Sequence, residues 1–285
     1  MNRPFDVRVR GHDVVEAGHL VRRLLPSAAL PMVGPFVLFD HFGPATLAPG
    51  EGVEIAPHLH AHLATVTYFF AGGTHHSDDL GNDVVVEAGD VAWMHAGAGI
   101  VHAERTPSAF RARGGVGHGI QAWTALPEEL ERSAPRYQWA RAADIPCVVR
   151  GGVTARVLVG EAFGVRSPIE TVTSVLLVEL RAEAVRAELV LDPAPGQHAL
   201  LFVDGYGALD GHRIGVGTLV RLCEGVAPRL TLEAGATALF FGGAPLGPRY
   251  LQGNVIGSSV ERLEQALREA NDAPTDGRAS ALLPP

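Results

Sequence analysis

The sequence predicts an all-β fold made of two β-barrel or jelly-roll domains with a short C-terminal helix. Three observations carry that expectation. Glycine and proline, 34 and 20 of 285 residues, punctuate the chain at short intervals. The runs between them, at 35–39, 63–70, 83–87, 175–180, 199–203, 219–222 and 236–241, are rich in β-branched, aromatic and other large apolar residues. Many such short runs with regular turn signals read as the strands of sandwiches or barrels. Third, helical spacing is scarce.

The clearest helix follows Ser258, where Ser258 and Glu261 have the spacing of a capping box. Val260, Leu263, Ala266, Leu267 and Ala270 then recur at helical spacing, and Asn271, Asp272 and Pro274 end the run. A shorter helix is expected over 127–132. Residues 275–285, small or polar and ending in Pro284-Pro285, are expected to be disordered. Pro127, Pro135, Pro146 and Gly151-Gly152 mark 126–151 as a connector. The histidine-rich half precedes it, and only His198 and His212 follow. The expected domains are 1–135, which carries the candidate functional residues, and 136–285, which lacks them and holds the terminal helix.

Composition excludes several classes. A chain of 285 residues buries a core large enough to need no disulfide. The two cysteines, Cys147 and Cys223, form no Cys-x-x-Cys pair, which excludes a zinc ribbon and a thioredoxin-type motif. Both are expected to be ordinary buried thiols. The net charge is -8, the pI is about 5.9, and every basic residue is an arginine. No arginine cluster forms a stripe, so direct nucleic-acid binding is not expected. The first residues lack the apolar stretch of a signal peptide, and no run is long enough to span a bilayer. The expected location is the cytoplasm.

The chemistry-bearing signal is a split pair of alternating motifs, Pro57-His58-Leu59-His60 and Ile100-Val101-His102-Ala103-Glu104. Residues two apart on a strand share a face. Two neighbouring strands carrying these pairs would aim three imidazoles and one carboxylate at one point. That donor set suits iron, manganese, nickel or copper. It does not demand the closed tetrahedron of structural zinc, so positions remain open for substrate or dioxygen. A substrate with adjacent hydroxyl and carbonyl oxygens could coordinate there and become more acidic. Glu104 is then the candidate proton acceptor.

Gly52, followed after five residues by His58, with Gly72 and Gly97-x-Gly99-x-x-His102, fits a general cupin pattern. The usual cupin glutamate is absent, since Ala64 and Thr65 occupy its region, and the carboxylate stands instead at Glu104. This displacement resembles the pirin family of cupins. So do Gly34-Pro35-Phe36-Val37-Leu38-Phe39-Asp40-His41-Phe42-Gly43-Pro44, Asp79-Leu80-Gly81-Asn82, Gly89-Asp90-Val91-x-Trp93-Met94, Ala96-Gly97-x-Gly99-Ile100-Val101-His102-x-Glu104-Arg105 and His118-Gly119-Ile120-Gln121-x-Trp123. The strong likeness covers about 34–126.

The resemblance implies a bicupin with the metal in the N-terminal barrel, held by His58, His60, His102 and Glu104. It implies iron first, with manganese, nickel, copper, cobalt or zinc as alternatives. It also implies a quercetin 2,3-dioxygenase-type oxidoreductase acting on a small aromatic substrate with dioxygen. The alternative is a non-catalytic, metal- or redox-responsive regulator that binds a protein partner.

Three positions depart from the family pattern. His62 replaces a small residue, often glycine. His95 replaces a threonine, and Ser77 stands where an arginine is usual. His62 shares strand parity with His58 and His60; it is read as packed at the barrel mouth, with a fifth-ligand, hydrogen-bonding or proton-relay role as the alternative. His95, expected in a turn, is read as structural. His12, His19, His41, His75, His76, His118, His198 and His212 are read as solvated or structurally hydrogen-bonded. Trp93, Trp123, Phe36 and Phe39 are expected to pack the first barrel.

Overall fold

The computed structural model describes residues 3–16, 18–191 and 195–272. The chain is all-β, as the sequence predicts. Among the described residues the only α-helices are Ser108–Arg113 and Val260–Asp272, with a single 3-10 turn at Glu128–Leu130. Every run read as a strand forms one. The sequence reading missed Ser108–Arg113, which is too short to show helical periodicity. The segment 275–285 lies outside the described residues.

The contacts divide the chain into two compact units that interleave in sequence. One comprises Met1–Asp13, Arg22–His41 and Ala143–Pro245; the other comprises Val14–Val21, Phe42–Ala142 and Leu246–Pro285. A single cut at 135/136, as expected from the connector, is a contiguous division; these units are not contiguous.

The first unit has a seven-stranded sheet in the order Phe5–Arg10, Thr218–Leu222, Gln197–Asp204, Thr237–Gly243, Val175–Arg181, Val153–Val159, Cys147–Arg150. A four-stranded sheet runs Ala187–Val190, Arg229–Leu232, Tyr206–Leu209, His212–Gly215. Side chains from both sheets share one buried cluster, including Val178, Leu200, Phe202, Val220, Leu230 and Phe240. Each fully buried large apolar side chain contributes roughly 1.5–3 kcal/mol. Phe36 and Phe39, expected to pack the first barrel, are counted with this unit, although their strand lies beside Gly115–Ala125 in a sheet of the other. Phe39 stacks on Phe241 at 4.3 Å between centroids, and Phe36 meets the same ring edge-on at 5.0 Å. The strand Phe36–Leu47 is continuous and contributes to both units, its residues up to His41 to this one and those from Phe42 to the other. The cysteines also differ from expectation, because Cys147 is exposed and Cys223 partly so.

In the second unit a four-stranded antiparallel sheet runs Glu54–His60, Ile100–Arg105, Gly73–Asp78, Asp83–Glu87. Four strands of a second sheet, Arg136–Ala140, Val91–His95, Leu63–Ala71 and Gly115–Ala125, lie side by side in that order. Leu63, Val66, Tyr68, Val91, Trp93, Met94, Ile100 and Ile120 are buried. The terminal helix seats Leu263 and Ala266 against Ala61 and Val255. Its cap is Ser259 rather than Ser258: Ser259 Oγ accepts the Arg262 N–H at 3.2 Å. Ser258 instead bonds Glu131 through its own N–H at 2.7 Å and its hydroxyl at 3.2 Å.

Candidate metal centre

The strand Ile100–Arg105 is the middle of the site. It pairs on one side with Glu54–His60 and on the other with Gly73–Asp78. In that register His102 stands directly opposite His58, and Ile100 opposite His60. A bulge between His102 and Glu104 shifts the pairing, so Glu104 faces Ile55 on one neighbour and His76 on the other. Gly97, just before this strand, allows the close approach of the backbone at Ser133. It takes φ +50°, and a Cβ there would lie 2.1 Å from the Ser133 carbonyl oxygen.

Alternation does what the motif spacing predicts for three residues. His58, His60 and His102 offer donor nitrogens within 4.8 Å of one another. His58 Nε2 and His60 Nε2 are 3.1 Å apart. The ring centroids of His58 and His102 are 4.4 Å apart, and those of His60 and His102 are 5.0 Å apart. Glu104 is grouped differently: its carboxylate clusters within 4.8 Å of His102 and His76. His102 is common to both groups.

The donor chemistry fits a metal. His58 Nδ1 lies 2.9 Å from the Ala56 carbonyl oxygen. A carbonyl only accepts, so Nδ1 carries the proton and Nε2 keeps its lone pair. His102 Nε2 and His60 Nδ1 are buried with no partner among the described residues. A buried polar atom without a partner is costly, and a metal ion would satisfy the His102 lone pair. Burial holds the His60 imidazole well below its ordinary 6.5, with the neighbouring His58 adding to the effect. Burial likewise lowers His102, helped by His60, His58 and His76. Neutral imidazoles are the form that binds metal.

His76 is a residue the sequence reading passed over as structural. It is 3 % exposed, and its Nδ1 lies 3.3 Å from His102 Nδ1. Its Nε2 lies 2.9 Å from Asp78 Oδ2. Burial alone would raise Asp78, but hydrogen bonds from His76 and Asn82 outweigh it and hold the carboxyl below its ordinary 3.8. The signal was in the sequence: His76-Ser77-Asp78 has the same two-residue alternation as the ligand motifs.

His62 does not join the cluster. The strand ends at His60, and His62 takes φ +64°, so strand parity no longer applies. Its N–H donates to the Gly97 carbonyl at 2.7 Å. Burial lowers its imidazole below 6.5, and the charges it feels are Glu131, Arg132, Glu269 and Arg262. A positive φ suits glycine, which accounts for the small residue expected at this position. His95 ends the strand Val91–His95 rather than sitting in a turn. Its Nε2 lies 2.7 Å from Ser133 Oγ, and burial followed by Arg136 lowers it to about 4. Trp123 packs edge-on against His60 at 5.0 Å, and Tyr137 stacks on His76 at 4.1 Å.

Residues 18–124 match the family profile described as Pirin, and residues 178–273 match the Pirin C-terminal cupin domain. A pirin-like protein of Caulobacter vibrioides is 35% identical over 266 residues, 92% of this chain and 90% of that protein. The chain belongs to the pirin family. A second relative, from Pseudomonas aeruginosa, is named as a candidate quercetin 2,3-dioxygenase. It is 34% identical over 274 residues, 94% of this chain and 84% of its own length. A crystal structure of quercetin 2,3-dioxygenase from Acinetobacter baumannii aligns with a TM-score of 0.85 at 28% identity, covering 93% of this chain and 88% of that one. The pirin fold is thus a bicupin, as the resemblance implied.

Proposed function

We propose that this chain is a metal-dependent dioxygenase that cleaves quercetin-type flavonols or related polyphenols. The observation that carries the reading is the convergence of His58, His60 and His102, three imidazoles with donor nitrogens within 4.8 Å. His58, His60, His102 and Glu104 would hold one divalent transition metal, with iron the first expectation. Such a metal would supply Lewis acidity, lowering the pKa of a coordinated hydroxyl, and redox capacity toward dioxygen.

The chain's own residues supply the rest. The Ala56 carbonyl fixes the His58 tautomer. The Trp123 indole N–H and the Tyr137 hydroxyl are buried donors with no partner among the described residues. They belong to side chains packed on His60 and His76. Glu104, beside His102, is the proposed acceptor of the substrate proton. The likeness to quercetin 2,3-dioxygenase of Acinetobacter baumannii supports the substrate class.

The test is metal content by mass spectrometry on protein purified without chelator, together with oxygen uptake on adding quercetin. About one redox metal per chain with oxygen consumption and loss of the flavonol absorbance is the expected result. No turnover with iron, nickel, copper, manganese or cobalt would sink the flavonol reading.

A further inference from the structure

We propose that His76 and Asp78 form a tautomer relay that fixes where His102 carries its proton, making His76 a positioning residue for the metal-facing nitrogen. The inference rests on the metal-centre reading of His102 and adds a role to residues outside the ligand set. It is carried by five contacts to Asp78 and one between two histidines.

Asp78 is surrounded by donors. Its Oδ1 accepts from the Leu80 N–H at 3.0 Å, the Asn82 N–H at 3.0 Å and Asn82 Nδ2 at 2.9 Å. Asn82 Nδ2 also reaches Oδ2 at 2.8 Å. A carboxylate held this way only accepts, so the 2.9 Å contact from His76 Nε2 to Oδ2 puts a proton on His76 Nε2. In a neutral imidazole the other nitrogen, Nδ1, is then an acceptor. Nδ1 lies 3.3 Å from His102 Nδ1. A hydrogen bond across that contact has His76 Nδ1 as its acceptor, so His102 is the donor and carries its proton on Nδ1. His102 Nε2 is left with its lone pair, and it is this atom that is buried without a partner.

The tight turn 78–82 supplies backbone N–H groups to Asp78. Asp78 orients His76, and the stacked Tyr137 ring, 13° from parallel, fixes its plane. His76 then orients His102. A histidine that ligates through one nitrogen usually has the other held by a carboxylate, carbonyl or water, and loss of that partner typically costs tenfold to a hundredfold in metal affinity. Here the carboxylate acts through an intervening imidazole. His58 is held more directly, by the Ala56 carbonyl.

The test begins with metal-free protein labelled with 15N-histidine. Two-bond 1H–15N correlations at about pH 8 read each ring's tautomer. His76 protonated on Nε2 and His102 on Nδ1 is the expected pattern. His102 protonated on Nε2, or His76 protonated on both nitrogens, overturns the relay. This spectrum needs no variant, so a folding defect cannot blunt it.

His76→Phe then removes both nitrogens while keeping a ring against Tyr137. Its cobalt(II) affinity should fall by about tenfold to a hundredfold, and the His102 ring should lose its single tautomer. Unchanged affinity and an unchanged His102 tautomer in that variant overturn the positioning role. Wild-type protein that binds no cobalt(II), iron or nickel fails the metal-centre reading instead, and the tautomer spectrum alone then decides the relay.

Discussion

Each histidine of the site has its behaviour set by what the neighbouring atom can do. The Ala56 carbonyl forces a proton onto His58 Nδ1, while burial keeps His60 and His102 neutral. His58→Ala, His102→Ala and Glu104→Ala should each weaken metal binding by roughly tenfold or more without unfolding the chain, measured as metal per chain after dialysis. His62→Gly should leave metal content unchanged, because His62 feels Glu131 and Arg132 and turns away at φ +64°. Normal metal content in all three ligand variants would remove the assignment.

The same residues predict a pH dependence. His60, His95 and His102 are depressed in the folded chain by burial, whereas the unfolded chain titrates near 6.5. Below 6.5 the unfolded state therefore binds more protons than the folded one, and stability rises with pH. The contribution is fully present above 6.5 and is lost as pH falls, through about 4 for His95. The urea midpoint of metal-free protein should drop steadily between about pH 7 and pH 5. A flat profile would contradict the buried neutral state.

At the scale of elements, the terminal helix is anchored through a buried carboxylate. The Glu131 side chain is 0% exposed and receives Ser258 N–H, Ser258 Oγ and Arg262 Nη1. Glu131→Ala strips these donors of their acceptor and should cost about 1–3 kcal/mol, read from the urea midpoint. A change below a few tenths would show the helix held by Leu263 and Ala266 alone. The sequence placed this helix but not its cap. Ser258 and Ser259 are adjacent, and the three-dimensional position of Glu131 draws Ser258 away from the helix end. Strands were more legible than caps, since alternation within a run such as residues 63–70 needs no distant partner.

Across the whole molecule, a net charge of -8, with a number of arginines in pairs with acids, sets the long-range field. Arg22 with Asp13, Arg221 with Asp6 and Arg186 with Glu188 are examples. Duplex DNA should show no mobility shift at about 0.15 M salt, because paired arginines leave no basic stripe to displace counterions. A salt-dependent shift would refute that expectation. Among the described residues no helix is long and apolar enough to cross a membrane.

The sequence by itself determined the all-β class, the strand runs and the three histidines that converge, because period-two alternation and glycine turns are local properties. The family blocks added the bicupin. Tertiary structure decided the rest. Phe36 and Phe39 meet Phe241, about two hundred residues away in sequence. The end of a strand at His60 removed His62 from the ligand face. The pairing of Ile100–Arg105 with Gly73–Asp78 brought His76 and Asp78 to His102. Which strands become neighbours depends on contacts across long sequence separations, and those are not written in the spacing of any one segment.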